Sequence, residues 1–109
     1  MANAFKTLTD TAVGTSAATI YTCPASTETT IIGMNIANIL TVSITVDVQL
    51  ENDDGDNVYL VKSAIVPVGS SLVAVGGDQK IVMNAADVLK VTASQASAAD
   101  VTLSVLEIT

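Results

Sequence analysis

The chain contains no histidine and no arginine, and this shortage of reactive side chains excludes most of the usual enzyme chemistry. Histidine is the usual general base beside a serine or cysteine nucleophile, so a conventional hydrolytic triad is excluded. The only thiol is Cys23, which excludes an internal disulfide and a cysteine zinc site within one chain. Because Cys23 follows an apolar stretch and precedes Pro24, we expect it to pack as a small hydrophobic side chain.

Positive charge is also scarce, with four lysines against 11 acidic residues and a formal net charge of −7. The lysines are scattered along the chain, at positions 6, 62, 80 and 90. A nucleic-acid partner requires a basic patch, so we expect none. The acidic excess is expected to keep the free chain in solution and away from nucleic acid.

Long apolar runs are absent, because Thr, Ser, Asn and Asp interrupt every apolar segment before it approaches the ~18 residues of a membrane span. The first seven residues lack the apolar run of a signal peptide, so neither export by that route nor a membrane partner is expected. The mean hydropathy of +0.56 is nevertheless high for a small domain. Such a domain hides only about 60 to 70% of its unfolded surface, so part of the apolar content is expected to face partner chains.

What the chain has in abundance is β-branched side chains: 15 Val, 9 Ile and 14 Thr make up 38 of the 109 residues. These side chains suit a pleated sheet better than a helix. The clearest strand pattern runs from Ser43 to Leu50, where Ile44, Val46 and Val48 alternate with polar residues. We therefore predict one core-facing side and one solvent-facing side for this strand.

Nine short segments between turn residues are predicted as strands. They are Lys6 to Ala12, Ala17 to Cys23, Thr29 to Ile36, Ser43 to Leu50, Asn57 to Val66, Leu72 to Val75, Lys80 to Met83, Val88 to Ala93 and Val101 to Ile108. This spacing, with no long amphipathic helix, predicts one all-β domain over residues 1–109, an antiparallel and jelly-roll-like β-sandwich. Residues 1–11 form either its first strand or an N-terminal arm that reaches a neighbour. The alanines between Ser94 and Asp100 would tolerate one helical turn.

Three strand patterns carry more specific expectations. In the third strand, Ile32 is predicted to share the core-facing side with Met34 and Ile36, and Gly33 indicates a bulge or a close backbone approach. The segment Asn57 to Val66 is apolar on both faces, which predicts burial on both sides or contact with another subunit. In the last strand Val101, Leu103 and Val105 share a face with Glu107, so the buried side is expected to switch near Val105, through a bulge or a change of neighbour.

The acidic segment Asn52 to Asn57 carries the oxygen ligands that calcium prefers, but its spacing does not fit an EF-hand loop. We interpret it as a hairpin turn at Asp54-Gly55, with a bound cation as the alternative. Val68-Gly69-Ser70-Ser71 and Gly76-Gly77-Asp78 lack the lysine of a phosphate loop and are predicted turns. No catalytic, metal-binding or cofactor-binding residue is assigned.

Two further functions remain open from the residues alone. A carbohydrate- or receptor-binding module needs aromatic platforms, and the only rings are Phe5, Tyr21 and Tyr59, which more simply fill core or interface space. A hydrolase working through paired carboxylates is not excluded by spacing, but no pair stands out.

Several short segments, read in order along nearly the whole chain, resemble small virion proteins of tailed bacteriophages. They are Gly14-Thr15-Ser16, Thr19 to Ala25, Ile31-Ile32-Gly33, Ala37-Asn38, Val66 to Leu72, Lys80 to Met83, Asp87 to Val91 and Leu103 to Ile108. The resemblance implies a non-enzymatic β-sandwich, most simply a head decoration or cement protein. Proteins of this kind also occur at the neck, tail or baseplate.

The resemblance also implies partners and a location. The expected partners are copies of the chain, often in a homotrimer, and the major capsid protein or other virion proteins. The expected location is the virion, after synthesis in the host cytoplasm. Repeated weak contacts multiplied by symmetry would hold such a protein on a shell.

Overall fold

The computed structural model describes residues 2–76 and 79–109, which form nine strands. They are β1 (Asn3–Val13), β2 (Ala18–Thr22), β3 (Glu28–Asn38), β4 (Ile44–Glu51), β5 (Asn57–Val66), β6 (Ser71–Val75), β7 (Ile81–Met83), β8 (Val88–Ala93) and β9 (Ala99–Ile108). Each predicted strand corresponds to one of them. Within these residues no helix is long and apolar enough to cross a bilayer. The segment considered for a helical turn instead connects β8 to β9, with Ser97 at a positive φ of 51°.

The strands form two antiparallel sheets that pack as a jelly-roll sandwich, as predicted. The first sheet has the order β1-β9-β3-β6, and β7 also pairs with β3; the second has the order β2-β8-β4-β5. The pairing is nested: β1 pairs with β9, β2 with β8, β3 with β6 and β7, and β4 with β5. Strands distant in sequence thus become neighbours, with β6 and β7 acting as one interrupted strand.

The core lies between the sheets and consists of one side of each central strand. In β4 the predicted alternation is confirmed, since Ile44, Val46 and Val48 are buried. In β3 the bulge predicted at Gly33 is present, because the register against β9 shifts between Ile31 and Gly33.

This bulge changes which residues of β3 reach the core. Ile31 is buried together with Met34 and Ile36, whereas Ile32 is only half-buried. The assignment of Ile32 to the core side was therefore wrong, because the extra residue reverses the alternation on one side of the bulge.

The structure also corrects the expectation for β9. Its inward side does not switch: Val101, Leu103, Val105 and Glu107 are all buried in strict alternation. The irregularity near Val105 belongs to its partner strand β3.

Strand β5 is not buried on both sides, contrary to one alternative. It is the end strand of the second sheet, hydrogen-bonded to β4, and most of its residues are exposed. Contact with another subunit stays a prediction. The N-terminal segment, for which an arm and a first strand were both open, pairs with β9 as β1 and is likewise an end strand.

The predicted turns close these strands. Gly55 has a φ of +101° in the β4–β5 turn, where its N–H donates to the Asn52 carbonyl. Gly69 has a φ of +77° in the β5–β6 turn. These left-handed conformations favour glycine. The prediction for Gly76-Gly77-Asp78 falls partly on Gly77 and Asp78, which lie outside the described residues.

Candidate interaction surface

A polar cluster, buried apart from its exposed Lys6 side chain, joins the two sheets at one end of the sandwich. Tyr21 comes from β2 in the second sheet, whereas Lys6, Thr29 and Glu107 come from β1, β3 and β9 in the first. The Tyr21 hydroxyl donates to Glu107 Oε2 at 2.6 Å, and its oxygen lies 2.8 Å from Thr29 Oγ1. Lys6 Nζ lies 2.9 Å from Glu107 Oε1. Because the phenol has one proton, Thr29 donates to its oxygen.

The charge states of this cluster follow from these contacts. The hydrogen bond from Tyr21, and then the one from Lys6, lower the pKa of Glu107 below its usual value. Burial, and then the hydrogen bond to Glu107, raise the pKa of Tyr21. At neutral pH the carboxyl is ionised and the phenol is protonated, so neither is tuned as a general acid or base. The cluster is a structural tie between the sheets.

Cys23 extends this cluster and is buried. Its Sγ lies 3.3 Å from Thr29 Oγ1, 3.4 Å from the Thr27 carbonyl oxygen and 3.7 Å from the Met83 carbonyl oxygen. Cys23 therefore packs in the core, where a thiol is shielded from solvent reagents. The sequence did not single out Tyr21 and Glu107, although Glu107 continues the inward alternation of β9 and could have been found from it.

The acidic turn is tied to the adjacent turn by Asp87, which is buried. One Asp87 oxygen accepts from the Asp53 N–H and the other from the Asn84 N–H, both at 2.9 Å. Nowhere in residues 2–76 and 79–109 do three or more acidic or cysteine side chains group in a way that could hold a metal ion. No pocket is found in this part of the chain.

The outer face of the first sheet, here called the neutral face, carries mostly uncharged side chains. Residues directly opposite in paired strands point to the same side of a sheet. Phe5 is opposite Leu106, Leu106 is opposite Thr30, and Thr30 is opposite Val82, so these four form one row across the sheet. Phe5 is 77% exposed and Val82 is 60% exposed. No pattern in the sequence indicates this row, because its members come from four different strands.

Hydroxyl and amide side chains continue the neutral face beyond this row. The outward residues there are Thr7, Thr9, Ser104, Thr102 and Asn35, together with Val73, which is 65% exposed. Among the described strand residues, charge on this face is confined to its two ends, at Glu28 and Asp100. Asp100 accepts a hydrogen bond from the Ala12 N–H at 3.0 Å.

The outer face of the second sheet, here called the charged face, has a different chemistry. Lys62 Nζ lies 3.4 Å from Asp47 Oδ2, and Lys90 Nζ lies 2.9 Å from Glu51 Oε2. The Lys62 ammonium also sits 4.6 Å from the centre of the half-exposed Tyr59 ring. The Asp47 carboxylate and the Tyr59 ring, in that order, raise the pKa of Lys62. This face therefore presents charged side chains to solvent, together with the exposed apolar residues Tyr59 and Ile65 of β5.

A solved structure described as "Bacillus endospore appendages form a novel family of disulfide-linked pili" has a similar fold. The similarity covers 99% of this chain and 87% of the other, with a TM-score of 0.56 and 17% sequence identity. No protein-family model and no curated protein sequence matches the chain. At this identity the likeness concerns the fold alone: the chain shares its all-β sandwich with a Bacillus endospore appendage protein, which is not a phage protein.

Proposed function

We propose that this chain is a non-enzymatic structural subunit that assembles with copies of itself on a larger particle. In its most specific form the proposal is a head decoration protein of a tailed phage, a trimer bound to the major capsid protein. The proposed location is the virion, after synthesis in the host cytoplasm. The observation that carries the proposal is the exposure of large apolar side chains on strand surfaces of a sandwich whose described part has no pocket.

Three of these exposed side chains share the neutral face: Phe5 on β1, Val73 on β6 and Val82 on β7. Tyr59 and Ile65 lie instead on β5, on the charged face of the other sheet. Single exposed apolar residues are ordinary, but several on one sheet face are typical of an interaction site. Burial of each Å² of such surface contributes about 25 cal/mol, which favours association.

Strands at the ends of the two sheets supply a second means of contact. β1 ends the first sheet and β5 ends the second, so each presents one backbone edge that its own sheet does not pair. Such an edge can accept a strand from a neighbouring chain. Extended edges and apolar strand faces are the contacts that repeated, symmetric assemblies use.

A second candidate is a subunit of a proteinaceous appendage, which the fold of the endospore appendage protein favours. That structure is described as disulfide-linked. Here the only cysteine, Cys23, is buried and contacts Thr29. Any fibre of this chain would therefore be held by non-covalent contacts, and reducing agents would not dissolve it.

The experiment combines mass measurement with imaging. Size-exclusion chromatography with light scattering is expected to give a discrete oligomer, a trimer in the specific form of the proposal. Electron microscopy of the same sample separates closed oligomers from filaments, which would support the appendage candidate. Density for the chain on phage heads in particle maps would support decoration. A monomer that neither self-associates nor binds capsids would refute the proposal, as would turnover of a substrate.

A further inference from the structure

We infer that the neutral face is the surface through which one copy of this chain binds a second copy. This inference rests on the proposed structural role and assigns it to a particular side of the sandwich. The row formed by Phe5, Leu106, Thr30 and Val82 crosses the sheet and supplies the largest apolar side chains of the contact. The charged face then points away from it.

Charge distribution selects this face over the other. Each copy carries a formal net charge of −7, so two copies repel each other wherever their acidic surfaces approach. A contact on the charged face would remove water from Asp47, Glu51 and their lysine partners. The free-energy cost of desolvating such ions offsets much of the attraction between them. On the neutral face, charge lies only at the Glu28 and Asp100 ends among the described strand residues. Two copies can therefore approach there at the lowest electrostatic cost.

The size of the neutral face agrees with a specific interface. Four strands spaced about 4.8 Å apart span about 19 Å, and ten residues of β9 extend for about 33 Å. The face therefore covers about 600 Å² per copy, and a pair buries about 1,200 Å², at the lower end of specific interfaces. An interface of this size suits an assembly in which symmetry multiplies contacts that are individually weak.

Phe5 is the residue on which the contact depends most. Its ring is 77% exposed and projects from an end strand, beside the half-buried Leu106. Aromatic side chains that become buried at an interface often carry a large share of its binding energy. The ring makes no contribution to the core, so its removal tests association without weakening the fold.

The test measures the dissociation constant of self-association by sedimentation equilibrium for the wild type and three variants. Phe5→Ser removes the ring, and Thr30→Asp places a charge in the middle of the row. Ile65→Ser is the matched control, because Ile65 is a 69% exposed apolar strand residue opposite Thr45 on the charged face. We expect Phe5→Ser to weaken association by about 10- to 100-fold. Thr30→Asp is expected to weaken it further, and Ile65→Ser to leave it within about threefold.

Salt concentration gives an independent readout. Repulsion between copies of charge −7 is screened as the Debye length falls from about 30 Å at 10 mM to about 8 Å at 150 mM, so association through the neutral face strengthens with salt. Association through ion pairs of the charged face would weaken instead. Far-UV circular dichroism and urea unfolding check that each variant folds.

The outcomes separate this inference from the proposed function. An oligomer that survives both neutral-face substitutions and is lost in Ile65→Ser overturns the assignment of the surface and leaves the structural role standing. A wild-type chain that remains monomeric at every concentration refutes self-assembly, and this inference fails with it.

Discussion

The tie between Tyr21 and Glu107 predicts a large effect from the removal of one hydroxyl group. Tyr21→Phe deletes the 2.6 Å hydrogen bond to the buried Glu107 carboxylate and leaves the Thr29 hydroxyl without its phenol acceptor. A hydrogen bond to a charged group contributes about 1.5–3 kcal/mol to the free energy of unfolding. For a domain of this length that loss corresponds to a fall in Tm of roughly 6–15 °C.

The pH dependence of this loss follows from the direction of each pKa. Because the pKa of Glu107 is lowered in the folded chain, its stabilising contribution is present above the ordinary value of 4.5 and is lost as pH falls through the lowered pKa. Because the pKa of Tyr21 is raised, its contribution is present below the ordinary value of 10.0 and is lost at higher pH. The cost of Tyr21→Phe is therefore largest near neutral pH and smaller in strong acid.

Urea unfolding at one fixed protein concentration measures this effect, at pH 7 and at pH 2.5. A double-mutant cycle with Glu107→Gln isolates the coupling between the two side chains, which we expect to exceed about 1 kcal/mol at pH 7. Tyr59→Phe is the matched control, because Tyr59 is half-exposed on the charged face. Its cost is expected to stay within about 0.5 kcal/mol. If Tyr21→Phe costs no more than Tyr59→Phe at pH 7, or if its cost rises as the pH falls, the reasoning about the tie is wrong.

Three further substitutions test the fold. Asn38→Ala is expected to cost about 2–4 kcal/mol in urea unfolding, because the buried amide donates to the carbonyls of Val42 and Val66 and accepts from the Leu40 N–H; a cost below 1 kcal/mol would contradict this. Leu103→Ala, at a fully buried position, is expected to cost about 2–5 kcal/mol by the same measurement. Ala86→Gly is expected to raise Tm by a few degrees at most, because Ala86 has a φ of 73°, which glycine adopts more readily than alanine. A fall in Tm would show that alanine is not strained in this turn.

The architecture could be predicted because it depends on local pattern. Period-two alternation identified β4, and turn residues such as Asp54-Gly55 placed the boundaries between strands. The same reasoning located the β3 bulge at Gly33, because a glycine within an apolar strand has few other roles.

The errors arose where a residue depends on strands distant in sequence. Alternation alone could not decide whether Ile31 or Ile32 enters the core, because the bulge at Gly33 reverses the pattern on one side. A carboxylate at an inward position, Glu107, was interpreted as evidence of a switch in the buried side. Its partners, Tyr21 and Lys6, lie 86 and about a hundred residues away in the chain, and only the folded structure brings them to it.

The difference between the two outer faces is independent of what the core requires. Core packing fixes only the inward residue of each pair along a strand, so the outward residues are free to meet solvent or a partner. Charged outward residues would keep a small apolar domain dispersed, and the second sheet has them at Asp47, Glu51 and Lys90. The first sheet has threonine, serine, the exposed Phe5 ring and branched apolar side chains in the equivalent positions. A chain that functioned alone would gain solubility from charge on both faces, so the scarcity of charge on the neutral face supports the inference that a second copy covers it.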